Sequence, residues 1–347
     1  MAMADVTIRG AGIFGLSVAY ACMLRGARVC VVDPNGVAAG ASGGIVGALA
    51  PHTPENWNEK KAFQFDSLIM AQDYWAQVQS HSGLPTGYAR TGRLQPLPDD
   101  RAVELARVRV QGAADLWQGR ATWQIVPHSD HADWAPQSAT GYLIHDTLSA
   151  RIHPRHATRA LARAVENLGG QIVTQAPDTN GPTIWATGYH GLLELSHDMG
   201  KPIGNGVKGQ AALLQFDARD TPQLFADALH IVPHHNGTVA IGSTSEREFD
   251  DPRSTDAQLN DIIARAVHSF PVLRNAPIIE RWASVRPRAK SRAPMLGHHP
   301  LRKGDFIANG GFKIGFGMAP KVGQVMADLI LEARDIIPTG FNVTDNL

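Results

Sequence analysis

Cysteine and charge are both scarce in this sequence. Cys22 and Cys30 are the only cysteines in 347 residues, which excludes a fold built on disulfides and favours a reducing compartment. Charged residues make up 18% of the chain, and its 32 basic and 32 acidic residues cancel. A net charge of zero argues against a nucleic-acid-binding protein, which carries a basic excess. An apolar content of 44% excludes a disordered polyelectrolyte.

Long hydrophobic runs are missing as well. The longest uncharged stretch, residues 34–54, is rich in Gly and Ala and contains Asn35, Ser42 and His52. A membrane helix needs about 20 mainly apolar residues, so this stretch does not qualify. The first residues lack a basic leader followed by an apolar run. We therefore expect a cytoplasmic protein without a membrane partner.

Signatures of metal sites are also lacking. The sequence has no H-E-x-x-H and no C-x-x-C, although it contains 15 histidines. We predict no dedicated metal site. The two cysteines fall on the first predicted helix and the second strand, where thiols behave as small buried apolar groups.

The first 33 residues are predicted to form one βαβ unit. A short strand at 6–8 runs into Gly10-Ala-Gly12-Ile-Phe-Gly15, then a helix from Leu16 to Arg25, a strand and Asp33. In such a unit the glycines allow a tight turn, close approach of a pyrophosphate and close helix packing, while the acid accepts hydrogen bonds from a ribose. The pattern predicts a dinucleotide site without separating FAD from NAD.

A stretch of small uncharged residues, 38–52, follows. Its backbone can pass close to a flat and bulky ligand because its side chains are small. A flexible loop explains the same composition, so both interpretations stay open at this point. His52, at its end, is a candidate for contact with such a ligand.

Further along, helices are predicted over 60–80 and 101–116 and over 256–269, the last capped by Ser254 or Thr255. Two strands, 229–232 and 239–242, flank His235-Asn-Gly237 and indicate a hairpin.

With these stretches in place, the chain resembles the D-amino-acid oxidase, glycine oxidase and sarcosine oxidase superfamily of FAD enzymes. The similarity is carried by the βαβ unit and by further stretches along most of the chain: Ala41-Ser-Gly-Gly44, Gly47-Ala-Leu-Ala-Pro51, Thr183-Ile-Trp-Ala-Thr-Gly188, Lys208-Gly-Gln210, Gly242-Ser-Thr-Ser-Glu246, Ser284-Val-Arg-Pro287 and Gly310-Gly-Phe-Lys-Ile-Gly315. Residues 86–141 match only vaguely.

The resemblance implies an α/β fold with a Rossmann-type FAD-binding domain and a second, smaller substrate domain built on an antiparallel sheet. Both domains would be discontinuous. The FAD-binding domain is predicted to comprise residues 1–80, 142–205 and 283–347, and the substrate domain residues 81–141 and 206–282.

The cofactor implied is FAD, bound non-covalently because neither cysteine lies where some sarcosine oxidases attach flavin. The predicted cofactor-binding residues are Gly10, Gly12, Ile13, Phe14, Gly15, Asp33, Ser42, Gly43, Gly44, Val46, Gly47, Ala48, Leu49, Val173, Ala186, Thr187, Gly188, Arg286, Gly311, Phe312, Lys313, Ile314 and Gly315.

Three side chains are predicted to face the substrate. Arg286 matches the family position that holds a substrate carboxylate, which the planar fork of an arginine binds bidentately. Lys313 stands where glycine oxidases tend to place an arginine, and His230 where the family has a substrate-facing tyrosine. The last two departures leave the substrate's identity open.

The activity implied is oxidation of a small amine or amino acid by hydride transfer to flavin. It gives an imine and then a carbonyl product, and oxygen or another acceptor reoxidises the flavin. Three alternatives stay open: an oxidoreductase acting on an amine-bearing tRNA base, suggested by the basic run from Arg281 to Arg292; an NAD(P)-dependent dehydrogenase; and a flavin-binding module without catalysis. An oligomer is left open too.

Overall fold

The computed structural model describes residues 4–175 and 181–347, which form sixteen strands and seven α-helices. The strands are β1 (Val6–Arg9), β2 (Val29–Val32), β3 (Ala48–Leu49), β4 (Arg93–Pro96), β5 (Trp123–Pro127), β6 (Tyr142–Asp146), β7 (Ala150–Arg151), β8 (Gln171–Val173), β9 (Thr183–Trp185), β10 (Gly204–Gln215), β11 (Gln223–Ala226), β12 (Leu229–Pro233), β13 (Thr238–Gly242), β14 (Ile278–Ala289), β15 (Met295–His298) and β16 (Phe306–Asn309). The helices are α1 (Ile13–Met23), α2 (Glu59–Ser82), α3 (Asp100–Trp117), α4 (Pro154–Asn167), α5 (Gly188–Asp198), α6 (Ala257–Ser269) and α7 (Gly315–Glu332).

The first sheet has six strands in the order β15-β16-β9-β1-β2-β8. Its pairs are parallel except for β15 with β16, so the predicted βαβ unit sits at its centre. Because β1, β2 and β9 are parallel, their carboxyl ends meet at one edge, where open α/β sheets bind ligands. Helices α1, α2, α4 and α7 pack together in one large apolar core with this sheet.

The second sheet has eight strands in the order β14-β10-β13-β12-β11-β4-β6-β5. All its pairs are antiparallel except β11 with β4. A separate apolar core lies between this sheet and α6. The predicted α/β fold with a parallel dinucleotide-type sheet and a second, mainly antiparallel sheet is confirmed.

The two sheets divide the chain differently from the predicted domains at two points. Strand β6 pairs with β4 and β5 in the eight-stranded sheet, although residues 142–205 were predicted for the FAD-binding domain. Strand β14 runs unbroken through the predicted boundary at residue 283 and pairs with β10 along its length. Backbone pairing between strands far apart in sequence decides both cases.

Most predicted elements occur with shifted ends. Helix α1 begins at Ile13 rather than Leu16, because the Ser42 hydroxyl accepts a hydrogen bond from the Ile13 N–H (2.9 Å) and caps the helix. Helix α6 is capped by Asp256, whose side chain accepts from the Gln258 N–H, so the predicted caps Ser254 and Thr255 are wrong. No helix in the described part of the chain is both long and apolar enough to cross a membrane.

Candidate functional site

A cavity of about 1060 Å³ lies between the carboxyl ends of β1, β2 and β9 and one face of the eight-stranded sheet. Ligand cavities in proteins usually measure about 300–1000 Å³, so this one is large enough for a dinucleotide together with a small substrate.

Most of the predicted site residues line this cavity. They are Gly10, Gly12, Ile13, Phe14, Asp33, Ser42, Gly44, Val46, Gly47, Ala48, Leu49, Ala186, Thr187, Gly188, His230, Arg286, Gly311, Phe312, Lys313 and Gly315. Four predicted cofactor residues do not line it, namely Gly15, Gly43, Val173 and Ile314.

These four lie behind the wall. A Cβ on Gly15 would stand 2.0 Å from the Gly10 carbonyl oxygen, and a Cβ on Gly43 would stand 2.2 Å from that of Ala38. Both glycines therefore serve close backbone packing. Val173 ends the edge strand β8 and accepts a hydrogen bond from the Asp33 N–H (3.0 Å). Ile314 is the N-cap residue of α7.

Three helices begin at the cavity wall. The first residues of α1, α5 and α7 all line it, and none of the three helices has a side-chain hydrogen bond from its own N-cap residue. Helix N-termini carry positive partial charge and free N–H groups, which suits the two phosphates of FAD. Gly12 and the Ser42 hydroxyl lie at the N-terminus of α1. The residues present therefore fit the predicted cofactor.

Asp33 follows β2 at the same end. One carboxylate oxygen accepts from the Ala11 N–H (2.8 Å) and the other from the Asn35 N–H (2.9 Å). These two bonds hold the carboxylate in place. Each oxygen can accept one more hydrogen bond, so the carboxylate can still accept one from a ribose hydroxyl.

The small-residue stretch forms the wall between the two sheets. A Cβ on Gly47 would stand 1.8 Å from the Ile152 carbonyl oxygen, and a Cβ on Gly44 3.0 Å from the Trp282 ring. Arg155 fixes the stretch by donating from its backbone to Gly44 O (3.2 Å) and from Nε to Gly43 O (3.0 Å). Close packing explains the glycines at positions 44 and 47. The stretch is an ordered wall and not a flexible loop.

The other wall is a row of residues directly opposite one another in the eight-stranded sheet. Trp282, Ala211, His230 and Phe225 of this row line the cavity, and Gly242 lies behind Val46. Neighbours in register point to the same face. We call this row the trough. Sequence reasoning found only His230 in this row, because the register that brings the others beside it is not visible in the sequence.

Arg286 reaches this trough from β14. Its guanidinium donates to Ser243 Oγ (2.6 Å) and to the Thr244 carbonyl (3.3 Å). A Cβ on Gly209 would stand 2.0 Å from both terminal nitrogens, so only glycine leaves room for them. Burial lowers the pKa of Arg286 to about 10, and the nearby Glu246 opposes that shift. Arg286 remains a cation at neutral pH.

Lys313 lies on the loop between β16 and α7. The Phe312 N–H fixes the loop by donating to the Pro287 carbonyl (3.0 Å), and the Lys313 Nζ lies 5.7 Å from the centroid of the Phe312 ring. Burial, and then the charge of Arg286, lower the pKa of Lys313.

His230 lines the cavity with these cations. Burial lowers its pKa to about 3, and Arg93, Lys313 and Arg286 add to the shift. Its ring is therefore neutral at physiological pH, and its Nδ1 has no hydrogen-bond partner in residues 4–175 and 181–347. Arg93 is held behind it by an ion pair with the buried Asp146 (3.0 Å).

His52 does not line the cavity. Its backbone N–H donates to Gln64 Oε1 (2.7 Å) and its ring Nδ1 bonds to the same oxygen, so the side chain is committed to α2. The prediction that His52 contacts a flat ligand is therefore wrong. Within the described ranges, no group of three or more His, Cys, Asp or Glu side chains is arranged to hold a metal ion.

Comparison with known proteins places this geometry in a family. The model of the DAO family, described as FAD dependent oxidoreductase, matches residues 5–329. Among curated relatives, the bifunctional protein ThiO/ThiG of Trichormus variabilis is 26% identical over 357 residues, which cover 95% of this chain and 53% of the relative. The glycine oxidase of Geobacillus kaustophilus is 22% identical over 94% of this chain and 92% of its own length. The chain thus spans about half the length of the first relatives it matches.

Solved structures share the whole fold. The crystal structure of glycine oxidase from Geobacillus kaustophilus aligns with a TM-score of 0.82 at 20% identity and covers 98% of both chains. The glycine oxidase of Bacillus cereus aligns with a TM-score of 0.81 at 21% identity, over 96% of each chain.

Proposed function

The chain belongs to the DAO family of FAD-dependent oxidoreductases, and we propose that it oxidises a small amine or amino acid whose carboxylate binds Arg286. When bound, FAD supplies the two-electron acceptor for the C–H bond next to the substrate nitrogen. The proposed substrate class rests on Arg286. It is a partly buried cation on the cavity wall, and no carboxylate of the described chain lies within 4.0 Å of it.

We infer that FAD binds without a covalent bond to cysteine. Cys22 and Cys30 are both free and buried, and neither lines the cavity. The phosphates would lie against the starts of α1, α5 and α7, and the flavin against the stretch from Gly44 to Leu49.

Arg286 orients the substrate. Its fork binds a carboxylate through two parallel N–H bonds, while Ser243 and Thr244 fix the guanidinium plane. One end of the substrate is then held against β14, and the trough of the eight-stranded sheet positions the C–H bond opposite the flavin.

The site favours the amine in its neutral form. The two carboxylates that line the cavity lie at its dinucleotide end: Asp33, and Glu194, which shares a second small cavity with Trp185 and Thr187. At the substrate end an ammonium would face Arg286 and Lys313 without an acidic partner. Oxidation removes an electron pair with the C–H hydrogen and a proton from nitrogen, and it leaves a C=N bond that water hydrolyses. The neutral ring of His230 can accept a hydrogen bond from the amine.

The test is anaerobic reduction of the bound flavin. The purified protein with FAD is mixed with glycine, sarcosine or D-alanine, and loss of the oxidised flavin absorbance is followed, with detection of the carbonyl product. Methylamine, which lacks a carboxylate, is the matched control compound. We expect reduction by at least one carboxylate-bearing amine and slower reduction by methylamine. A protein that binds FAD tightly but is reduced by no amine would refute the proposal and favour a flavin-binding module.

A further inference from the structure

The substrate end of the cavity is positively charged. Arg286 and Lys313 line it, and in residues 4–175 and 181–347 neither side chain has a carboxylate within 4.0 Å. The nearest acidic group behind Arg286 is Glu246, but its carboxylate faces the buried Lys208 (3.8 Å) and accepts from Gln210 Nε2 (3.1 Å). Its charge is therefore already balanced.

The Arg286 guanidinium and the Lys313 loop lie at different points along β14. The Arg286 guanidinium lies over Gly209, which is opposite Ser284 in the register of β10 and β14. The guanidinium therefore lies two residues nearer the start of β14 than the Arg286 backbone, a distance of about 6.6 Å along the strand. The Lys313 loop is bonded to β14 at Pro287.

His230 lines the same cavity as the two cations, and each of them disfavours its protonated form. One carboxylate is sufficient for the fork of Arg286, whose two outer nitrogens are held in one plane by Ser243 and Thr244. In the part of the chain that the structure describes, the Lys313 ammonium has no ion pair and lies over the Phe312 ring, so it is available for a second anionic group.

An amino acid with one carboxylate does not neutralise the positive charge at the substrate end of the cavity. A zwitterion brings no net charge, and a neutral amine with one carboxylate brings one negative charge to these two cations. A ligand with a second anionic group would remove the repulsion between Lys313 and Arg286.

We propose that the substrate is an amine that carries two carboxylates, one bound by Arg286 and the second by Lys313. This inference rests on the proposed amine oxidation and narrows its substrate class to aminodicarboxylates.

The experiment uses two matched pairs of compounds that differ only by a carboxylate. Iminodiacetate is compared with sarcosine, and D-aspartate with D-alanine. For each compound the second-order rate constant of anaerobic flavin reduction is measured with the FAD-loaded protein, and the readout is the dicarboxylate-to-monocarboxylate ratio within each pair. We expect a ratio of at least about ten in at least one pair, which is the size of one charge-assisted hydrogen bond.

Substitutions then assign the second carboxylate. Lys313→Met is expected to lower the ratio about tenfold, and Lys313→Arg to preserve it, because only the positive charge is needed. Lys290→Met, at an exposed lysine outside the cavity, is the matched control and should leave both the ratio and the individual rates as in the wild type.

The outcomes separate the two proposals. Wild-type reduction by monocarboxylates with a ratio of one or less overturns the dicarboxylate inference and leaves amine oxidation standing. An unchanged ratio in Lys313→Met overturns it too, because Lys313 then shares the first carboxylate or acts on the flavin. Reduction by none of the four compounds refutes both.

Discussion

Mild acid is expected to destabilise this protein through a histidine cluster that lies behind the cavity wall. His153 and His156, at the start of α4, stack at 3.7 Å between ring centroids and 7° between planes. His234 and His235, in the β12–β13 turn, lie beside them at 4.5 and 5.6 Å. None of the four Nδ1 atoms has a hydrogen-bond partner in the described chain. The cluster joins a helix of the first core to the second sheet.

The buried members of this cluster are neutral in the folded protein. His153 is 2% exposed and His234 is 0% exposed. Burial lowers the pKa of His153 to about 2 and that of His234 to about 4, and neighbouring histidines and arginines add to both shifts. The basic side chains around the cluster are Arg151, Arg155, Arg159 and Arg219, while Glu280 and Asp217 are paired with two of them.

The magnitude follows from proton linkage. In the unfolded chain a histidine titrates near pH 6.5, so below that pH the unfolded state binds a proton that the folded state excludes. The stabilisation is complete above about pH 6.5 and decreases by about 1.4 kcal/mol per pH unit per histidine as the pH falls. At pH 5 the loss is about 2 kcal/mol for each buried histidine, or about 4 kcal/mol for His153 and His234 together. Total stabilities are about 5–15 kcal/mol, so this loss is a large fraction.

The assay is urea unfolding of the FAD-loaded protein at pH 8, 7, 6 and 5, followed by tryptophan fluorescence. His153→Phe keeps a flat ring against His156 but cannot take up a proton. We expect its loss of unfolding free energy between pH 8 and 5 to be about 2 kcal/mol smaller than that of the wild type. His197→Phe is the matched control, because the His197 side chain is 90% exposed and should not contribute.

Parallel losses of unfolding free energy in His153→Phe and the wild type between pH 8 and 5 would contradict this expectation. Such a result would mean that His153 is protonated in the folded protein or that the unfolded chain does not release it to solvent. A smaller slope in His197→Phe than in the wild type would also contradict the assignment of the effect to buried rings.

Three further substitutions test the cavity. Arg286→Lys keeps the charge but loses the fork, and KM for a carboxylate-bearing amine should rise about 10- to 100-fold in steady-state assays while the bound flavin spectrum is retained. Gly209→Ala places a Cβ 2.0 Å from the Arg286 guanidinium, so it should also raise KM. The variant that combines Gly209→Ala with Arg286→Lys should have a KM only slightly above that of Arg286→Lys alone. Ser42→Ala removes the acceptor of the Ile13 N–H and should lower the unfolding free energy by about 1 kcal/mol in urea and weaken FAD binding in a fluorescence titration.

Local patterns in the sequence predicted the local structure. The βαβ unit, helices α2 and α3, and the β12–β13 hairpin occur as expected, because short-range periodicity and turn residues specify them. Helix ends were less well predicted. Helix α7 begins at Gly315 and continues through Pro320, because tertiary packing against α1 and α2 outweighs a single proline.

Contacts between residues distant in sequence were beyond prediction. His153 and His156 are about 80 residues from His234 and His235, and no local pattern indicates that their rings meet. The row across the eight-stranded sheet depends in the same way on the register of four strand pairs. The resemblance to FAD enzymes located His230 at this surface without indicating the aromatic residues beside it.

The surroundings of Arg286 show why a motif can be noticed before its role is understood. Lys208-Gly209-Gln210 resembles the family's sheet, but alternate residues of a strand point to opposite faces. Gly209 therefore makes room for the guanidinium, while Lys208 and Gln210 turn away and hold Glu246. Glu246 accepts from the Thr244 hydroxyl, and the Thr244 carbonyl accepts from Arg286. Arg286 is thus positioned by a buried chain of polar groups that spans both faces of β10, and each of these groups taken alone resembles an ordinary strand residue.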